Sequence, residues 1–508
     1  MTKYPRLIFF ISLSILCSYY SSYSQTSQIA SRITQVENKL LVGAEIIFAD
    51  SAFNHFNIYD RMKFYKVPSV SIAVINNGQL EWAKAYGLAD VSEKRVANTN
   101  TVYQAASLSK SLNAFCIMKL VQEGKLTLDI DIRQYLKSWT FPDNESSKNK
   151  VITLKNLLSH TAGLSLHGFR GYSFDDKIPT INDILNGTFP SNNEALKPIF
   201  PPNTTMKYSG GGTLITKKIL DDNISANYDN LMRQKVLKPL GMSNSSYAQP
   251  LSKKLKNVAV AYDENLNEIE GKYNIYPELA PDGLWTTPTD FSKFIISIQH
   301  SLKKNSNSLL NDATIKEMLT PVLSSSDAAL GVFIKEKGGE KYFTHSGANI
   351  GYRTEYYGSF TTGAGLVIMV NSDNGQIINE IKNSIATVYN WKGFYTPEIR
   401  KLVNVPDTIA DKYIGEYYSE KPQLKITIAK KDNTLHLSTR GKDYPERMLF
   451  VSTNKFYLPS SPSTFAEFKS IPYTTADTLV VKENNNILFK AVKISPSNPK
   501  APDYPNPN

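Results

Sequence analysis

The chain has 508 residues, 41% hydrophobic and 20% charged, long enough for two or more domains around a sizeable core and unlike a fibrous or globally disordered composition. Its formal charge of +11 is spread along the chain without aromatic-basic clusters, so nucleic-acid binding is not read from it. The six histidines are scattered and no HExxH occurs, so no metal site is expected.

The first 24 residues read as an export signal. Lys3 and Arg6 precede the apolar run LIFFISLSIL, which is too short to span a bilayer, and the small residues Ser22 and Ser24 fit a cleavage site. Cleavage after Ser24 brings the charge to about +9 and removes Cys17. Cys116 is then alone in an apolar helical stretch, so no internal disulfide is expected. Lipidation at Cys17 is the weaker reading, because Leu16 stands where a small residue should precede a lipidated cysteine. The expected location is the periplasm or the outside of a bacterial cell, with no transmembrane span after cleavage.

Residues 28–65 look helical. Ser69–Ile75 is rich in β-formers, Asn76-Asn77-Gly78 supplies a tight turn, and Gln79–Tyr86 returns as a hairpin. Apolar Leu112, Phe115, Cys116, Met118, Leu120 and Val121 predict a helix from Ser107 to about Glu123, ended by Gly124. The stretch 130–310 is loop-rich with several helices. From Tyr342 the chain turns to strands (KYFTHSGA, GYRTEYYGSF, AGLVIMVNS), followed by a helix over about Gln376–Tyr389. Strands at both ends and helices between them predict an α+β domain over 25–395, an antiparallel sheet assembled from the two ends beside a helical lobe. Residues 396–408, with Pro397 and Pro406, read as a linker. Short strands about ten residues apart then predict a small all-β barrel or sandwich over 409–495, with a turn at Asp432-Asn433. The Pro/Asn-rich tail 496–508 is expected to be disordered.

A serine three residues before a lysine occurs at Ser107…Lys110, Ser147…Lys150, Ser301…Lys304 and Ser497…Lys500. In a helix this spacing puts both side chains on one face, where the lysine can bond the hydroxyl and, partly desolvated, lose its proton to serve as a base. Only Ser107 opens an apolar helix, whose N-terminal dipole favours a developing anion. The other three read as surface residues. Ser107 is therefore the candidate nucleophile, with a helix cap as the competing role; Ser109 reads as structural. Tyr208-Ser209-Gly210 stands before another helix, and a tyrosine near a lysine is a candidate base. His345-Ser346-Gly347 stands on a strand. Gly347 would let a substrate backbone lie along it, and the N–H of Ala348 would join that of Ser107 as an oxyanion hole. Each of these two motifs alone also has a purely structural reading.

In order, Ser107-x-x-Lys110, Tyr208-x-Gly210 and His345-Ser346-Gly347 resemble the three motifs of the serine β-lactamase and penicillin-binding-protein superfamily, in its class C-like branch. VPSVSIAVINNGQLEWAKAYGLAD, ITLKNLLSHTAGL, VLKPLGMSNSSY and PDGLWTTPTDFSKF resemble the linking segments of that branch, so the likeness covers about residues 40–390. The β module resembles the lipocalin-like modules fused to such hydrolases. The resemblance implies a cofactor-free acyl transfer. Ser107 attacks an ester or amide, Tyr208 paired with Lys110 takes its proton and returns it to the leaving group, and water deacylates the enzyme. His345, Ser346, Gly347 and Gly210 are implied to contact substrate, His345 to orient Tyr208 through hydrogen bonds, and segments 161–175 and 280–290 to wall the pocket.

Two departures move the expected substrate away from β-lactams. Gly210 stands where an asparagine amide is usual, and the mostly neutral His345 stands where a lysine usually meets the drug's carboxylate. The leading expectation is a secreted serine hydrolase for small esters, amides or peptides, D-amino-acid amides and cell-wall-derived peptides among them. A penicillin-binding D,D-peptidase or β-lactamase and a catalytically inactive binding module are the alternatives.

Overall fold

The structure, a computed structural model, describes residues 26–41, 46–48, 56–252, 255–303, 308–439, 445–458, 461–469, 478–483 and 486–494. The expected signal segment with Cys17, and the expected tail, lie outside the described residues. The chain forms two compact units, one of Met1–Leu41 with Phe56–Tyr395 and one of Val42–His55 with Thr396–Asn508.

The first unit is built on a seven-stranded antiparallel sheet. Its strands are β1 (Ser69–Asn76), β2 (Gln79–Asp90), β3 (Arg95–Val96), β4 (Phe333–Lys337), β5 (Glu340–Asn349), β6 (Tyr352–Ser359) and β7 (Gly365–Val370), in the order β3-β2-β1-β7-β6-β5-β4. The two ends of the unit meet where β1 pairs with β7, from Ile75↔Gly365 to Val70↔Val370. The β1–β2 hairpin turns at Asn77 (φ 54°) and Gly78 (φ 74°), the left-handed pair that Asn-Gly supplies readily.

β1 is buried along almost its whole length because both faces of the sheet are covered. Val70, Ile72 and Val74 pack on one side with Leu366, Ile368, Ile377 and Ile381, the last two from helix α6 (Gln376–Val388). Ala73, Ile75, Val367 and Met369 face the helical lobe, against α3 (Ser109–Gln122) and α5 (Pro288–Leu302). α4 (Gly210–Asn223) runs through the same lobe. Apart from Ser107, every residue from Thr101 to Met118 is buried. α3 is thus buried on nearly all sides, with Leu112, Phe115, Cys116, Ile117 and Met118 in the core and its buried polar groups at Ser109, Lys110, Ser111 and Asn113. It ends where the N–H groups of Gly124 and Lys125 bond the carbonyls of Val121 (2.9 Å) and Leu120 (2.9 Å).

The N-terminal stretch differs from the continuous helical reading. Residues 26–38 form helix α1, strand Ile46–Phe48 belongs to the second unit, and a separate helix α2 (Ile58–Phe64) starts at Asn57, whose side chain accepts from the Tyr59 N–H at 2.8 Å.

In the second unit, β8 (Gly415–Ser419), β9 (Leu424–Lys431), β10 (Thr434–Thr439), β11 (Glu446–Arg447), β12 (Leu449–Phe450), β13 (Lys455–Leu458), β14 (Ser461–Lys469), β15 (Thr478–Glu483) and β16 (Asn486–Lys493) form one antiparallel, barrel-like sheet in the order β11-β10-β9-β8-β16-β15-β14-β13-β12. Tyr417, Ile426, Ile428, Phe456, Phe468 and Leu479 fill its core, and Tyr413 stacks on Phe468 at 3.7 Å between ring centres. The turn at Asp432 (φ 49°) and Asn433 (φ 58°) joins β9 to β10. The stretch read as a linker is structured: Glu398–Arg400 pairs in parallel with Ile46–Phe48, and a helix begins at Asp407.

Candidate active site

Ser107 lies in a 3-10 turn, Ala106–Leu108, one step before α3 rather than at its first residue. Ala106 has φ 50°, a left-handed value unfavourable for a residue with a Cβ. The turn is held from both sides. Tyr103–Gln104 pairs with Trp285–Thr286, and the Ala105 N–H bonds the Leu284 carbonyl at 2.8 Å. Ser109 Oγ donates to the Ala106 carbonyl (2.6 Å) and accepts from the Leu284 N–H (3.0 Å), a structural role. These bonds clamp Leu284, Trp285 and Thr286 against the nucleophile turn.

Lys110 Nζ lies 2.8 Å from Ser107 Oγ, 3.0 Å from the Pro281 carbonyl and 3.3 Å from Asp282 Oδ1. Burial works to lower the pKa of Lys110, but the charges of Asp282 and Tyr208 and their hydrogen bonds outweigh it and raise it. The expected loss of its proton therefore does not follow: Lys110 is an ammonium. Ser107 Oγ in turn donates to Asp282 Oδ1 at 3.0 Å.

Tyr208 is placed by the start of α4. Ser209 caps that helix: its Oγ accepts from the Gly212 N–H (2.9 Å) and donates to the Ser165 carbonyl (2.6 Å), and its N–H donates to His160 Nδ1 (3.2 Å). The Tyr208 ring sits 4.4 Å from that of His160 and 4.8 Å from that of His167, with Phe333 at 6.3 Å. Lys110 Nζ is 5.1 Å from the ring centre. Burial, helped by the charge of Lys110, holds His160 well below its ordinary pKa, so it is neutral.

His345, Ser346, Gly347 and Ala348 lie on β5. Burial and the Lys110 charge bring the His345 pKa down to about 3. Its Nδ1–H donates to the Ser346 carbonyl at 2.6 Å, and its buried Nε2 has no partner. The expected hydrogen bond from His345 to Tyr208 is not made; the two rings stand 6.0 Å apart. Gly347 packs against the nucleophile turn, where a Cβ would lie 2.6 Å from the Ala105 carbonyl and 3.0 Å from the Ser107 nitrogen.

Ser107, Tyr208, Asp282, His345, Ala348 and Arg353 line one cavity of about 790 Å³. Ser346 and Gly347 border it, and His167–Arg170 and Asp282 come from the two segments expected as walls. Gly210 is not on its lining: it is buried behind the 167–169 backbone, its N–H bonding the His167 carbonyl at 3.0 Å. The competing serines are also not as expected, for Ser147 and Ser301 are buried, not exposed. Ser147 Oγ donates to Asp143 (2.8 Å) and Ser301 Oγ to the Ser297 carbonyl (2.9 Å). Lys304 and the Ser497…Lys500 pair lie outside the described residues.

Sequence reasoning missed Asp282, Glu278 and His160. Asp282 was in view inside PDGLW, but a lone Asp-Gly reads as a turn. Glu278 is fully buried, neither carboxylate oxygen has a partner, and burial pushes its pKa up to about 8. Among the described residues, no group of three or more His, Cys, Asp or Glu could hold a metal ion, and no helix is long and apolar enough to cross a membrane.

The sequence model of the beta-lactamase family matches residues 57–383. Protein flp of Staphylococcus aureus (strain MRSA252) is 29% identical over 227 residues, 44% of this chain and 42% of that protein, so the match spans less than half of its length. Penicillin-binding protein 4* of Bacillus subtilis (strain 168) is 24% identical over 342 residues, 65% of each chain. The octameric penicillin-binding protein homologue from Pyrococcus abyssi superposes with a TM-score of 0.60 at 22% identity, over 86% of this chain and 98% of that one. SurE with D-Leu gives 0.52 at 18% identity, over 86% and 97%. These two likenesses are of fold.

Proposed function

The chain belongs to the beta-lactamase family, and from that premise we propose that it is an exported serine hydrolase that cleaves small esters or amides, D-amino-acid amides included, through an acyl-enzyme on Ser107. The observation that carries this reading is the Lys110 ammonium 2.8 Å from Ser107 Oγ, at the wall of a cavity of about 790 Å³. Ser107 Oγ gives up its proton to a neighbouring acceptor as it attacks the carbonyl, and the N–H groups of Ser107 and Ala348 hold the oxyanion. Lys110 adds a fixed positive charge beside the developing anion. Tyr208, flanking that charge, protonates the leaving group and then activates the deacylating water.

The same geometry argues against a β-lactam as the preferred substrate. The third-motif position offers a carboxylate no cation, because His345 is neutral and its free Nε2 is an acceptor. Gly210, being off the cavity lining, offers an acylamino side chain nothing. The likeness to penicillin-binding protein 4* keeps a penicillin-binding peptidase as the second reading. A panel of short-chain p-nitrophenyl esters, D-Ala p-nitroanilide and a chromogenic cephalosporin tests the choice. Turnover of the first two that is lost in Ser107→Ala supports the proposal. Stable labelling of Ser107 by a fluorescent penicillin, with no turnover of the esters or the anilide, favours the second reading.

A further inference from the structure

We propose that Asp282 is a catalytic residue that takes the proton of Ser107, so that proton transfer is divided between Asp282 on one side of the nucleophile and Tyr208 with Lys110 on the other. This rests on Ser107 being the nucleophile of the preceding section.

The hydrogen-bond directions at Ser107 carry the inference. Lys110 is an ammonium and has no lone pair, so the 2.8 Å bond runs from Nζ to Ser107 Oγ. The hydroxyl proton must leave in another direction, and its acceptor is Asp282 Oδ1 at 3.0 Å. Among the described contacts Tyr208 makes no hydrogen bond to Ser107. Tyr208 is thus placed to serve the leaving group, and Asp282 is placed to receive what Ser107 gives up.

Asp282 is not explained as a purely structural carboxylate. Its side chain is 5% exposed, and such groups ordinarily have both oxygens satisfied. Here Oδ1 carries Ser107 and Lys110, while the buried Oδ2 has no partner, and the residue borders the cavity. Its backbone is fixed: the Asp282 carbonyl accepts from Asn349 Nδ2 (3.1 Å), which also donates to Gln104 Oε1 (2.7 Å), and the next N–H bonds the Leu279 carbonyl (2.7 Å). The charged and titratable groups facing it are Lys110 from α3, and Glu278 and Tyr276 from its own segment. Burial pushes Glu278 towards its neutral form, so the charged partner that Asp282 contacts is Lys110, 3.3 Å from its Oδ1.

The proton count closes over the cycle. In acylation Ser107 Oγ bonds the carbonyl carbon, its proton goes to Asp282, and the bond to the leaving group breaks as Tyr208 protonates it. In deacylation water gives one proton to Tyr208 and its oxygen attacks the acyl carbon. Asp282 returns its proton to Ser107 Oγ as the ester bond breaks, restoring every group.

The test measures the acylation burst of the full chain with p-nitrophenyl acetate, with thermal melts as a check on folding. Asp282→Asn keeps shape and hydrogen bonding but cannot take the proton; acylation is expected to fall at least about 100-fold with the melt preserved. Added formate is expected to restore at least about tenfold of the rate lost in Asp282→Ala, because a small carboxylate can enter beside Ser107, while chloride does not. Acylation by Asp282→Asn within about fivefold of wild type, with Ser107→Ala inactive, would overturn the inference and leave the hydrolase reading standing. An active Ser107→Ala would overturn the hydrolase reading itself. Should the Asn and Ala variants unfold, Asp282→Glu decides: a loss of about tenfold or more with an unchanged melt supports the inference, and an unchanged rate overturns it.

Discussion

Gly347 on β5 lies against the backbone of Ser107 so closely that a Cβ at Gly347 would stand 3.0 Å from the Ser107 nitrogen. The same Cβ would meet Thr354 Oγ1 at 2.4 Å and the Ala105 carbonyl at 2.6 Å, so two of its three nearest neighbours are backbone atoms of the nucleophile turn and the residue before it. Gly347→Ala must push β5 and that turn apart. The expected outcome is a stability loss of about 1–3 kcal/mol from overpacking. The turnover loss is larger, about 100-fold, because a displacement of this size misplaces the nucleophile. Ester hydrolysis and a thermal melt on the same sample check both; a fully active variant would mean that the strand and turn separate freely.

Lys110 and Asp282 are a buried ion pair, their side chains 1% and 5% exposed. Lys110→Met leaves the Asp282 charge without its partner, which is expected to destabilise the unit by about 3–5 kcal/mol. It also removes the donor to Ser107 Oγ, with an expected fall in kcat/KM of about 10²–10³. Adding Asp282→Asn should recover part of the stability and none of the activity. Because the Lys110 pKa is raised in the folded chain, its contribution is fully present below the ordinary lysine value of 10.5 and is lost only as pH rises through the higher folded value. Lys110 itself should therefore add no pH dependence across neutral pH, and any slope in the stability difference between wild type and Lys110→Met, read by urea melts at several pH values, reports the unpaired Asp282 taking up a proton.

Much of the fold was legible because its signals are local. Alternation and Asn77-Gly78 define the β1–β2 hairpin, and the apolar run after Ser107 defines α3. That the two ends share one sheet followed from strands at both ends with helices between them, whereas the particular pairing of β1 with β7, almost 300 residues away in sequence, has no local signal. Within the site, the serine-lysine spacing at the head of an apolar helix accounts for the closeness of Ser107 and Lys110, because three residues along a helical turn fix proximity. It did not suffice for the lysine's proton, which depends on Asp282, brought in from 172 positions away. His345 shows the same limit. Its neutrality was readable from residue type, but its missing bond to Tyr208 depends on where two separate chain segments dock. The short strand within 396–408 was not legible because its partner, Ile46–Phe48, is supplied from the far end of the chain.

Glu278 makes stability depend on pH in an unusual direction for a carboxylate. Burial raises its pKa from 4.5 to about 8. Between those values the folded chain keeps a proton that the unfolded chain has shed, so stability falls as pH rises from about 4.5 and levels off above about 8. The loss amounts to several kcal/mol, at about 1.4 kcal/mol per pH unit. Glu278→Gln keeps the shape and cannot ionise. It should melt higher than wild type at pH 9 and show little difference at pH 5, as thermal melts at the two pH values would read. A pH-independent difference would show that Glu278 does not titrate in this range.

On the other face of the sheet, Arg61 of α2 and Glu380 of α6 form a bidentate pair, Nε to Oε2 at 2.7 Å and Nη2 to Oε1 at 2.5 Å. The Tyr65 hydroxyl donates to the same Oε1 at 2.6 Å. The guanidinium also lies over the rings of Phe56 (4.4 Å) and Phe64 (4.3 Å). Glu380 is fully buried and Arg61 nearly so, so Glu380→Ala strands a buried cation and removes the acceptor of Tyr65. The expected loss is about 3–5 kcal/mol, a fall in melting temperature of roughly 5–10 °C. Replacing both partners, as Arg61→Met with Glu380→Leu, should recover most of it, because the lost contacts are then not left as unpaired charge. Neither variant touches Ser107, Lys110 or Asp282, so turnover below the melt should stay within about threefold of wild type. A melting-temperature change under about 2 °C in Glu380→Ala would mean that this pair contributes no more than an exposed one.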